Sequence, residues 1–137
     1  MNLRINFFLV FLSFINCKSI DVKDIEKQLV MPGYSSEKIK LKYSCKIISK
    51  NDFKIISVKI DKINKEFKDF RIIQLPEGRM KNSGDTLKPG EYYIELNISK
   101  NQIQKTSIDV FMIDVLLGNK RLELKGKTLL INDSLRR

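Results

Sequence analysis

The sequence has no histidine and no tryptophan, and only two cysteines and three prolines among its 137 residues. Without histidine the chain lacks the commonest general base and the commonest transition-metal ligand. Ser-His-Asp and Cys-His catalysis are therefore excluded within the chain, as are catalytic zinc sites built on imidazole. Without tryptophan there is no indole platform for stacking a sugar ring. Cys17 and Cys45 allow at most one disulfide. No apolar run approaches the roughly 20 residues that a spanning helix needs. No Gly-rich phosphate loop follows a strand-like run, and there is no internal repeat or low-complexity tract. No metal or other cofactor is expected.

What is present begins with Arg4 and an apolar run from Ile5 to Ile15, followed by Asn16, Cys17, Lys18 and Ser19. A cation followed by a short apolar run is the layout of an export signal. Two cleavage sites are open. One follows Ser19, with Cys17 as the small residue three places before the cut. The other lies before Cys17: Phe14-Ile15-Asn16-Cys17 resembles a bacterial lipobox, although Asn16 stands where that pattern has Gly, Ala or Ser. The resemblance implies that Cys17 becomes the first mature residue and carries fatty acyl chains, palmitate among them. It places the protein on a membrane, expected to be the outer membrane. Stable anchoring takes at least two lipid signals, which multiple acylation supplies. On this reading residues 1–16 are a signal peptide, 17–36 a lipidated tether with an edge strand or short helix, 37–132 one folded domain, and 133–137 a polar tail.

Lys and Arg number 26 against 16 Asp and Glu, a formal charge of +10. Arg4 is the only charged residue among the first sixteen, so the mature chain carries +9. Nucleic-acid readers cluster such charge beside stacking aromatics. Here Lys38, Lys40 and Lys42 alternate with Ile39, Leu41 and Tyr43, the pattern of a solvated strand face. No nucleic acid partner is expected.

Past residue 36, period two dominates. Ile39, Leu41, Tyr43, Cys45 and Ile47 form one apolar set; Ile56, Val58 and Ile60 another; Tyr92, Ile94, Leu96 and Ile98 a third. Asp69–Leu75 and Ser107–Leu117 read as further strands, and Arg79–Asp85 as a loop. Arg121–Lys125 and Thr128–Ile131 read as a closing hairpin around Gly126. The pattern predicts an all-β fold, a single antiparallel sandwich of about seven or eight strands. Cys45, on an apolar strand face with no activating group, is expected to be a core thiol.

Leu87-Lys88-Pro89-Gly90-Glu91-Tyr92-Tyr93-Ile94 resembles the corner before a late strand in immunoglobulin-like and fibronectin III-like sandwiches. The resemblance implies that Pro89 and Gly90 set a turn and that Tyr92 sends its hydroxyl back to an upstream backbone group, with Tyr93 pointing outward. The whole layout is similar to that of small lipoproteins of Bacteroidota, with a lipidated cysteine, a short tether and one immunoglobulin-like sandwich.

Candidate chemistry is sparse. Asp109 and Asp114 are an odd number of residues apart, so one regular strand places them on opposite faces. Asp61, Glu66 and Asp69 fall near one strand end. Asn82-Ser83-Gly84-Asp85 supplies one carboxylate and reads as a turn, not a calcium loop. Ser57 and Lys59 share a strand face, expected to be the wet one. These features point to a non-enzymatic envelope protein that contacts a protein or glycan through loop 79–88 and strand 38–46. The alternatives are an accessory subunit of an envelope or secretion complex, and a carboxylate-dependent hydrolase.

Overall fold

Period-two alternation governs the long strands of the computed structural model, which describes residues 19–30, 40–99 and 108–131. Among these residues the chain is all-β, with ten strands: β1 (Ile20–Val30), β2 (Lys40–Ser49), β3 (Lys54–Ile60), β4 (Ile63–Phe67), β5 (Arg71–Leu75), β6 (Arg79–Lys81), β7 (Gly90–Ser99), β8 (Val110–Leu117), β9 (Lys120–Lys127) and β10 (Leu129–Ile131). They form a six-stranded sheet in the order β10-β1-β2-β7-β5-β6 and a four-stranded sheet in the order β4-β3-β8-β9. Every pairing is antiparallel except that of β1 with β10.

The core lies between the two sheets. Leu41, Tyr43, Cys45 and Ile47 of β2 and Tyr92, Ile94, Leu96 and Ile98 of β7 line one wall. Ile55, Val58 and Ile60 of β3 and Phe111, Ile113 and Val115 of β8 line the other. Each such aliphatic or phenyl side chain contributes roughly 1.5–3 kcal/mol when fully withdrawn from water. The β8–β9 turn holds two residues, Gly118 and Asn119, between the paired Leu117 and Lys120. Gly118 has φ 61°, as a two-residue hairpin turn twisted to match its strands requires.

Several sequence expectations change. In place of about seven or eight antiparallel strands there are ten among the described residues, because the short β6 and β10 add to the count, and β10 pairs in parallel with β1. Residues 20–30, expected as tether with an edge strand or short helix, form β1, which lies inside its sheet between β10 and β2. In β3 the inward residue is Ile55 and not Ile56, because the register with β8 slips between Ile55 and Ser57 and the slip reverses the alternation. Part of the expected loop 79–85 is the short strand β6, paired with β5 across the turn Pro76-Glu77-Gly78. The expected closing hairpin around Gly126 does not form. Lys120–Lys127 is one strand on β8, and after Thr128 the chain crosses to the other sheet, where β10 runs parallel to β1. Tail residues 133–137 lie outside the described residues.

A bulge in β1 decides what faces the core. Lys23 pairs with Lys46 and Glu26 with Ser44, so Asp24 and Ile25 together oppose Cys45. Asp24 sits at φ 54°, a conformation that aspartate tolerates better than most residues. Before the bulge Ile20 is buried; after it the buried positions are Lys27 and Leu29. The bulge thus turns a lysine inward. Ile25 leans on the neighbouring sheet at Gly126, where an added Cβ would lie 2.5 Å from the Ile25 Cδ1.

Candidate functional site

Cys17 lies outside the described residues, as do Lys38 and Ile39. Cys45 is fully buried, and burial pushes its thiol up to about 12. With no activating group beside it among the described residues, it is an inert part of the core. Tyr92 has its ring in the core, edge-on to Phe53 at 5.4 Å, and its hydroxyl donates to the Lys88 carbonyl at 2.7 Å. Burial raises its pKa. Gly90, at φ 150°, and Pro89 lead into β7. The loop before them is tied down by reciprocal backbone bonds between Phe53 and Leu87, 3.0 and 2.7 Å. Tyr93 takes the outer face, in register with Lys46 and Ile73.

The Asn82–Asp85 segment is a closed turn. Asp85 Oδ2 accepts the Asn82 N–H at 3.0 Å, and the Asp85 N–H returns to the Asn82 carbonyl at 3.1 Å. Among the described residues no group of three His, Cys, Asp or Glu side chains is placed to hold a metal ion. Asp61, Glu66 and Asp69 do not converge. Asp61 accepts the Val110 N–H at 3.0 Å, and Glu66 pairs with Lys59 at 3.5 Å. A groove of about 570 Å³ between the β3–β4 hairpin and Met112 holds Asp61, Asn64, Lys65 and Glu66.

Two polar clusters stand out. The first is on the outer face of the four-stranded sheet, around Asp114. Its Oδ2 receives Arg121 at 2.9 Å, Lys59 at 3.3 Å and the Ser57 hydroxyl at 3.3 Å. Burial alone pushes the Asp114 carboxyl up; Arg121 and Lys59 together outweigh it and hold the pKa below the ordinary value. The Lys59 ammonium is correspondingly raised, first by its bond to Asp114. Ser57, expected on a wet face, is fully buried in this cluster. It donates to a carboxylate and is not activated as a nucleophile.

The second cluster is in the core between the sheets. Lys27 Nζ lies 2.6 Å from Asp109 Oδ2, and neither side chain has any exposure to water. The Tyr43 hydroxyl donates to the same oxygen at 2.7 Å, and Lys62 Nζ approaches Asp109 Oδ1 at 3.2 Å from the partly exposed side. Asp109 is itself fixed by Thr128: its N–H donates to Thr128 Oγ1 at 3.1 Å, and the Thr128 N–H donates to its carbonyl at 2.9 Å. Tyr43 stacks on Phe111 at 5.9 Å. Burial, then the bond to Asp109, raises the Tyr43 pKa, so its hydroxyl stays protonated.

Sequence reasoning placed Asp109 and Asp114 on opposite faces, and they are: one is inside with Phe111, Ile113 and Val115, the other outside. It missed Lys27. Asp109 carried a signal, since it shares its alternation with three core residues. Lys27 carried none, because the bulge that turns it inward depends on the pairing with β2. No family model matches the chain, and no curated protein matches it.

Proposed function

We propose that this chain is a lipid-anchored cell-envelope protein, attached through Cys17 and held at the outer membrane, whose sandwich acts by binding or as a structural module without catalysis. The observation that carries the reading is the order of residues at the start: Arg4, the apolar run to Ile15, then Asn16-Cys17. The buried, high-pKa Cys45 fits it, since such a thiol is no partner for Cys17.

The immunoglobulin-like reading of the sandwich is supported by strand order. With β1, β2, β3, β4, β5, β7, β8 and β9 lettered A, B, C, C′, D, E, F and G, the sheets are A-B-E-D and C′-C-F-G. Tyr92 departs from the pattern, since it heads the strand in position E, whereas the tyrosine corner belongs to F. The test is metabolic labelling with an alkyne fatty acid. Wild type should take up label and partition with membranes; Cys17→Ala should do neither. Equal labelling of the two would sink the anchor.

The second reading, a subunit of a larger envelope assembly, is favoured by one surface. Met80, Ile73 and Tyr93 lie in register across β6, β5 and β7 on the outer face, and Met80 is 55% exposed. They adjoin β6, the short edge strand of the larger sheet, where strand addition has room. If Met80→Glu abolishes co-purification of a partner seen with wild type, this reading gains.

A further inference from the structure

An ammonium and a carboxylate in contact inside a dry core can exist as an ion pair or, after passage of one proton, as an amine and an acid. Burial narrows the gap between these forms, because it removes the hydration that favours charge. An amine held against a carboxylic acid, away from water, is the reactant pair for an amide. Lys27 Nζ touches Asp109 Oδ2 at 2.6 Å, with both side chains fully buried. In such a place effective concentration favours condensation, and the scarcity of water disfavours the reverse.

The neighbours are those the reaction needs. Lys62 Nζ stands 3.2 Å from the other carboxylate oxygen, Oδ1, where negative charge develops when the carbonyl carbon becomes tetrahedral. The Tyr43 hydroxyl donates to Oδ2 at 2.7 Å and can follow that oxygen as it departs. Thr128 fixes the Asp109 backbone from both sides. Lys62 is itself 46% exposed and reaches Asp109 from the solvent side, while Lys27 is the buried nucleophile.

We propose that Lys27 and Asp109 become covalently joined by a side-chain amide, a cross-link between β1 and the start of β8 that ties the two sheets together. The neutral Nζ attacks Asp109 Cγ and the N–C bond forms. Oδ1 carries the charge beside Lys62 in the tetrahedral intermediate. The bond from Cγ to Oδ2 then breaks, and Oδ2 leaves as water. It takes with it the two protons that Nζ loses in passing from ammonium to amide. Charge balances, since one cation and one anion give a neutral link, and no oxidant, reductant or co-reactant takes part. The cross-link is independent of the lipid anchor. It would give an exported fold the covalent tie that a lone buried thiol cannot.

The test is a tryptic map of the full chain, purified folded. Trypsin does not cut after an acylated lysine, so the cross-link predicts one branched product joining residues 24–38 to residues 106–120, lighter than the two linear peptides by one water. Separate linear peptides from folded protein, with cleavage after Lys27, would overturn the proposal. So would a water loss confined to one peptide, which marks a cyclic imide. Lys27→Arg keeps the cation against Asp109 but is no amine nucleophile; verified folded by circular dichroism, it should give only linear peptides. A branched product in that variant also overturns the assignment. Tyr43→Phe and Lys62→Met should slow the cross-linking that follows cell-free synthesis, Lys62→Met by on the order of 10²-fold. Wild-type rates in both would remove those residues from the reaction.

Discussion

Tyr92 packs its ring against Phe53 and spends its hydroxyl on the Lys88 carbonyl. The ring fills the core, while the hydroxyl only closes the corner, so the two contributions separate on mutation. Tyr92→Phe should cost about 1 kcal/mol, the usual net worth of one such bond, and Tyr92→Ala about 3–5 kcal/mol. Urea denaturation of both variants measures the difference. Lys27 is the opposite kind of residue, because its value lies in its terminal nitrogen, which answers the buried Asp109 carboxyl as an ion pair before the two are joined and as the amide afterwards. Lys27→Met takes from the buried Asp109 carboxylate the cation that touches it at 2.6 Å, and should destabilise by about 3–5 kcal/mol. The double change Lys27→Met with Asp109→Leu removes both charges at similar volume. If the ionic contact is what matters, it should recover most of that loss in the same assay.

At the level of elements, the bulge in β1 connects sequence to the buried cluster. Asp24 at φ 54° gives the extra residue that reverses the alternation and sends Lys27 inward. A β-branched residue resists that conformation, so Asp24→Val should cost about 1–2 kcal/mol, while Asp24→Gly should be close to neutral. Chemical denaturation reads both, and equal effects would mean that φ at this position is not what the bulge depends on. The same element shows why the fold was legible only in part. β2, β7 and β8 are regular: alternation could be read from Leu41 to Ile47 and from Tyr92 to Ile98, and β8 was legible as one apolar run within Ser107–Leu117. β1 and β3 each contain a register slip, and one slipped residue exchanges the two faces. That is why Ile55 replaced Ile56 and why Lys27 was not foreseen. The crossing from β9 to β10 was equally hidden, because β10 gains its place by pairing with β1, a hundred residues away in the chain. The Tyr92 corner was local, set by a few consecutive residues.

For the molecule as a whole, the missing histidine shapes the response to pH. Among side chains only histidine ordinarily changes charge between about pH 5 and 8. The buried Cys45 thiol, pushed up to about 12, does not titrate there either. The urea midpoint should therefore be nearly flat across that window. Below it the carboxylates decide. Asp114 is held under its ordinary value in the fold by Arg121 and Lys59, against the upward push of burial. A carboxyl whose folded pKa is depressed binds its proton less readily in the native state than in the unfolded chain. Its stabilisation is complete above the unfolded value of about 3.9, and is lost as pH falls through the lower folded one. Asp114→Asn removes this group's share of the acid dependence. Wild type should exceed the variant in urea midpoint at pH 6 and converge toward it as the solution is taken below about pH 4. Because Arg121 and Lys59 are partly exposed, added salt should shrink the gap at pH 6 as well. A gap that stays constant from pH 6 to pH 3 would show that Asp114 acts through its shape and hydrogen bonds and not through its charge.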